Sequence, residues 1–145
     1  KVKHIASHLG HYIQDATMPL HSTKNYDGQY SGNRGIHGRF EADMIRHYLH
    51  EYSDLSDTAG APTFIKDPVD MTFEVLIDSY VYVDNVLRAD THAHRFGELY
   101  DAAYYEKLHG LVGWIAKRRL GDAATATASL WLSAWLDAGK PEPGR

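Results

Sequence analysis

Apolar residues return every three or four positions along most of the chain, the period of an amphipathic helix, and nowhere show the strict alternation of a half-buried strand. Val2, Ile5, Leu9 and Ile13 mark one side of a helix over residues 2–17, and Pro19 closes it. Phe40, Met44, Tyr48 and Tyr52 recur at every fourth position and predict a helix from about Gly38 to Tyr52. Asp67-Pro68 has the order of an N-cap and a first-turn proline. The helix it opens carries Phe73, Leu76, Tyr80, Val83 and Leu87. From Leu99 to Leu136 the pattern is helical again, with Gly110, Gly113 and Gly121 as candidate breaks.

Between these helices, residues 22–36 are rich in Gly, Asn and Ser, and residues 53–66 contain Gly60 and Pro62; both read as loops. A loop of about 15 residues inside a compact domain is usually functional. The expected architecture is all-α, a single multi-helix domain over residues 1–138 followed by a flexible tail over 139–145 that frays. The tyrosines and tryptophans at 48, 52, 80, 82, 114, 131 and 135 are expected mostly in the core.

Composition narrows the chemistry. Of 145 residues, 43% are hydrophobic and 23% charged, an ordinary globular balance. The net charge of −4 leaves no general basic surface for duplex DNA. No apolar run is long enough to span a membrane, and no signal peptide is visible. The chain opens without Met, inside a helical pattern at Lys1-Val2-Lys3, so an upstream segment is expected. With no cysteine, a metal must sit on His, Asp and Glu, a donor set suited to zinc at a catalytic site. Ten histidines is a high count for this length, and five of them fall within the first 37 residues.

Those five are not scattered. His11 and Asp15 stand four apart on the first helix, and His37 and Glu41 four apart on the second, so each pair shares a helix face and can grip one ion. His21 lies just past Pro19, where the chain turns and can return a further imidazole. At about 100° per residue, His4, His8, His11 and Asp15 fall within an arc of roughly 60°, apart from the apolar side. Such a face is costly to bury without a partner, and a metal ion would supply one. His92 and His94, in a short polar stretch, read as solvent-facing, and His47, His50 and His109 as surface or helix-packing residues. Lys24 and Arg34, in the loop joining the two ligand groups, read as solvated charges at the mouth of the site.

The ordered set His11-Tyr12-x-x-Asp15, Pro19-x-His21, Asn25, then His37-x-x-Phe40-Glu41 resembles the bacterial zinc-dependent phospholipases C and the related single-strand-specific zinc nucleases. The likeness is specific over residues 8–45 and loose from Arg118 to Leu136. It implies an all-helical, trinuclear-zinc fold. His21, His37 and Glu41 would bind one zinc, His11 a second, and Asp15, the expected catalytic carboxylate, would bridge that zinc to a third. In these families the remaining ligands come from an upstream half that includes an N-terminal Trp, where this chain has Lys1. The resemblance therefore implies that this chain is the C-terminal part of a longer domain; the alternative is a naturally short domain in which His4 or His8 completes a smaller metal site. Glu41 after Phe40 leans toward the phospholipases, because the nucleases tend to carry Trp-Asp there.

The expected activity is thus zinc-dependent hydrolysis of a phosphodiester, with a phospholipid headgroup as substrate and secretion or a periplasmic location implied by the family. One rival is a nuclease for single-stranded nucleic acid, a base stacking on Tyr26 or Tyr30. The other is a zinc-binding helical domain without catalysis.

Overall fold

The computed structural model describes residues 1–97 and 99–142. Its elements are α1 (Val2–Thr17), a 3₁₀ turn (Pro19–Ser22), α2 (Ile36–Gly38), a π-helical turn (Arg39–Asp43), α3 (Met44–His47), α4 (Leu49–Tyr52), α5 (Pro68–Tyr80), α6 (Val83–Ala93) and α7 (Ala102–Asp137). No strand occurs among the described residues, so the chain is all-α. No helix among them is long and apolar enough to cross a membrane.

The spine is α7, 36 residues in one unbroken run, roughly 54 Å at 1.5 Å per residue. The expected glycine breaks do not occur. Gly121 is there for proximity instead: a Cβ on it would meet the Thr58 backbone carbon at 2.6 Å, so the 53–66 loop lies directly on the helix. At the start of α7 the Asp101 side chain accepts from the Tyr104 amide, and at the start of α5 Asp67 accepts from Val69 and Asp70, the cap its sequence predicts. The helix expected to run on from α5 through Leu87 is interrupted after Tyr80 and resumes as α6 at Val83.

Helices α1, α3 and α6 pack on α7, and α1 also packs on α5. The larger apolar cluster includes Leu20, Ile36, Phe40, Met44, Val86 and Leu108; a smaller one joins Ile13 and Ala16 of α1 to Leu130 of α7. Only the C-terminal half of α1 reaches the core. Ile13 is buried, but Val2 is 81% and Ile5 58% exposed, so the expected four-residue apolar face holds at one end only. The side of α1 that is buried is Gly10, Ile13, Ala16 and Thr17. The aromatic assignment also needs correction. Tyr52 is buried as expected, whereas Tyr80, Trp114, Trp131 and Trp135 are exposed. Tyr104 and Tyr105, at the first turn of α7, do the packing instead.

Two polar assemblies hold this frame. Along α7, the hydroxyls of Thr125, Ser129 and Ser133 accept from the backbone amides of Gly60, Thr63 and Ile65 at 2.8, 3.1 and 2.7 Å. Each hydroxyl also donates to the carbonyl four residues earlier in the helix. A loop segment with no secondary structure of its own thereby has its amides satisfied. At the start of the tail, the Trp135 indole donates to the Pro141 carbonyl and the Lys140 amide to the Trp135 carbonyl; residues 143–145 of the expected flexible tail lie outside the described residues.

The second assembly is buried. Asp90 of α6, wholly inaccessible, receives Arg39 Nη2 at 2.9 Å, the Tyr104 hydroxyl, and the Asn33 amide at 2.7 Å. Arg39 also donates to the backbone carbonyls of Asn33 and Arg34. Burial works against the Arg39 charge, yet Asp90 beside it holds the guanidinium above its ordinary value. Burial first, then the Asp90 carboxylate, push the Tyr104 phenol up, so it stays a donor. Gly35 makes the approach possible: its φ is +88°, and a Cβ there would stand 2.6 Å from Arg39 Nη1.

Candidate metal centre

Three short elements carry the expected ligands to one place. The 3₁₀ turn after Pro19 folds the chain back over the end of α1, and His21 Nδ1 comes to 3.0 Å from the Asp15 carbonyl oxygen. A carbonyl only accepts, so Nδ1 carries the hydrogen and Nε2 is left with its lone pair facing outward. That is the outer contact a metal-binding histidine ordinarily has. His37 sits in α2 and Glu41 in the π-helical turn that follows, where the Met44 amide reaches the Arg39 carbonyl. Such widened turns occur often at functional sites.

The three side chains converge. His21 Nε2 is 3.3 Å from His37 Nε2, His37 Nε2 is 2.8 Å from Glu41 Oε2, and His21 Nε2 is 3.8 Å from Glu41 Oε2. Bonds of 2.0–2.1 Å at tetrahedral angles would hold such donor atoms about 3.3 Å apart, so this triangle fits a zinc-sized ion with little movement. His21, His37 and Glu41 are the only group of three such ligands brought together among the described residues. Two imidazoles and a carboxylate, with no thiolate, leave a fourth position open. The side chains are about 27%, 28% and 44% exposed, so that position faces solvent.

His37 differs from His21 in one respect. Its Nδ1 is buried and has no hydrogen-bond partner among the described residues. Of the two imidazoles that could hold a metal, one therefore has an outer contact and the other has none among the described residues.

Asp15 and His11 lie beside this triangle rather than in it. One Asp15 oxygen is 3.4 Å from His11 Nε2 and the other 3.7 Å from His21 Nδ1. The carboxylate therefore stands between two imidazoles, one oxygen toward each. His11 is 68% exposed and has no further ligand group completing a second cluster among the described residues. His4 and His8 are exposed, so the imidazole row of α1 is a solvent face and the desolvation cost anticipated for it does not arise.

The remaining histidines are placed by packing. His109 stacks on Tyr48 at 3.8 Å between ring centres, and His47 on Tyr105 at 4.4 Å. His94, expected to face solvent, is held by the Asp90 carbonyl and the Tyr100 hydroxyl, each at 3.0 Å. Tyr26, from the loop between the ligand groups, meets the His37 ring edge-on at 6.0 Å and is half exposed at the mouth.

Next to the centre, α1, the π-helical turn and α7 line an open cleft of about 460 Å³. Asp15, Glu41 and His11 stand at its polar side; Met18, Phe40 and Leu120 are among the apolar residues of its wall. Sequence reasoning missed Arg39, Asp90 and Asn33, which fix the segment that carries His37 and Glu41. No signal in spacing pairs Arg39 with a residue 51 positions away. Comparison with known proteins finds no matching family model, no matching curated sequence and no matching solved structure.

Proposed function

We propose that this chain forms part of a zinc-dependent phosphodiesterase of the phospholipase C and zinc nuclease type. The observation that carries the reading is the convergence of His21, His37 and Glu41 onto one point, together with Asp15 set between His11 and His21. Bound at that point, zinc would polarise a phosphoryl oxygen and lower the pKa of a coordinated water. The chain's own groups prepare for it. The Asp15 carbonyl fixes the His21 tautomer, and Glu41 accepts from His37 until an ion replaces that proton. The Asp15 carboxylate offers negative charge on the His11 side, where a further ion or the transferring group would stand. The adjoining cleft favours an apolar substituent beside the phosphate, and so a phospholipid over a nucleic acid. Tyr26 at the mouth supports the nuclease alternative, as a surface on which a base can stack.

The test is zinc content by elemental analysis together with hydrolysis of a chromogenic phosphodiester, phosphatidylcholine and a single-stranded oligonucleotide, before and after chelation. We expect bound zinc that His21→Ala, His37→Ala and Glu41→Gln each diminish, and chelator-sensitive hydrolysis that is fastest on the lipid. Asp15→Asn should abolish hydrolysis, while Asp43→Asn, engaged with Arg46 and Tyr105 outside the triangle, should not. Unchanged zinc in the three ligand variants overturns the site. Zinc bound without hydrolysis of any ester overturns the enzyme reading in favour of a non-catalytic zinc domain.

A further inference from the structure

We infer a second divalent-metal site, formed by His4 and His8 on the exposed N-terminal turns of α1. The two residues stand four apart, and their Nε2 atoms lie 3.2 Å from each other with the rings edge to face at 4.4 Å. Two imidazole nitrogens at that distance do not rest as two lone pairs, which would repel. One must donate a hydrogen to the other, or a cation must lie between them. The separation is close to the roughly 3.3 Å at which two imidazoles bind one tetrahedral ion, so the pair is already spaced as a chelate.

The surroundings leave the pair free to act. Neither ring makes another hydrogen bond or an ion pair among the described residues, and both residues are exposed. Each ring is held only by its helix, whose repeat sets the i, i+4 spacing. With two protein ligands the ion would complete its shell with water. The site would therefore be weaker than the three-ligand centre and open to exchange. Imidazole nitrogen selects zinc, copper(II) and nickel(II) rather than the oxygen-seeking magnesium and calcium. The site is separate from His21, His37 and Glu41 and does not depend on how that centre is used.

Calorimetric titration with Zn²⁺ alone, followed by ¹H–¹⁵N spectra of the imidazoles, tests it. We expect two classes of site in the unmodified chain. His4→Ala and His8→Ala should each remove the weaker class, lowering its affinity at least tenfold, and leave the tighter class and the helical signal intact. His37→Ala should do the reverse. In the spectra, substoichiometric Cu²⁺ should broaden the His4 and His8 rings together. A titration in which neither His4→Ala nor His8→Ala changes the number of ions bound overturns the proposal, whatever happens at the three-ligand centre. So does a Cu²⁺ response in which the His4 and His8 rings are unaffected.

Discussion

The segment from Gly35 to Asp43 carries two polar clusters of opposite character. On one side Arg39 enters the interior, where Asp90, Tyr104 and Asn33 are joined by hydrogen bonds. On the other side His37 and Glu41 face an open site with His21, where two imidazoles approach at 3.3 Å and a buried ring nitrogen has no partner. The backbone between them is the same few residues. The first cluster brings each charge its complement, as burial demands. In the second, Glu41 accepts from His37 and the Asp15 carbonyl from His21, but the three side chains are partly open to water and the His37 Nδ1 has no partner among the described residues. Polar groups of the first cluster complete one another, whereas those of the second would be completed by an ion under the function proposed above.

The strongest way to break this contrast is Asp90→Asn. Removing one member of a buried ion pair leaves Arg39 charged and unmatched, which costs about 3–5 kcal/mol. In a domain of this size that lowers Tm on the order of 10 °C. Because the same segment carries His37 and Glu41, zinc affinity should fall with it. Thermal unfolding by circular dichroism and a zinc titration of the folded variant check both. A variant with unchanged Tm would show that the buried cluster is not the anchor of this segment.

The open cluster should behave in the opposite way. In the absence of zinc, Glu41→Gln should change stability by no more than about 0.5 kcal/mol, as surface substitutions do, and His37→Ala, at a partly buried ring, by about 1 kcal/mol. With zinc at a hundred times its dissociation constant, the unmodified chain should gain about 2.7 kcal/mol and the variants none. Denaturant melts with and without zinc measure this. A large loss in the zinc-free variants would mean that His37 and Glu41 are fold residues like Arg39.

How much of this was legible follows from the range of each interaction. His37 and Glu41 are one helical turn apart, so local spacing was enough to pair them, whereas the grouping of His21 with that pair rested on the family resemblance. The Asp67 cap and the bounds of α1 were legible for the same reason. Arg39 with Asp90, and Ser129 with Thr63, are 51 and 66 positions apart, and no local period links them. Amphipathicity misled at α1, where the apolar stripe continues past the point at which α7 covers it. Glycine misled in α7, because a residue that ends helices also permits close approach, and only the tertiary neighbour decides between the two.

The smallest effect sharpens the comparison from a third place, the hydroxyl ladder on α7. Ser129 and Ser133 are complete in the same sense as Arg39, each donating to its own helix and accepting from the loop. The two sites differ in access to water. The Thr63 and Ile65 amides are only partly buried, so solvent can replace a lost hydroxyl, and the cost should be nearer about 1 kcal/mol than the upper end of the 1–3 range. Alanine also returns a few tenths of a kcal/mol through its better helix propensity. Ser129→Ala and Ser133→Ala together should therefore cost about 1 kcal/mol in all. The local effect should exceed the global one: the Thr63 and Ile65 amides should exchange hydrogen faster than in the unmodified chain while the amides of α7 keep their protection. Equal acceleration in the loop and in α7 would show that the ladder supports the helix itself, and the loop would then be held by something other than these hydroxyls.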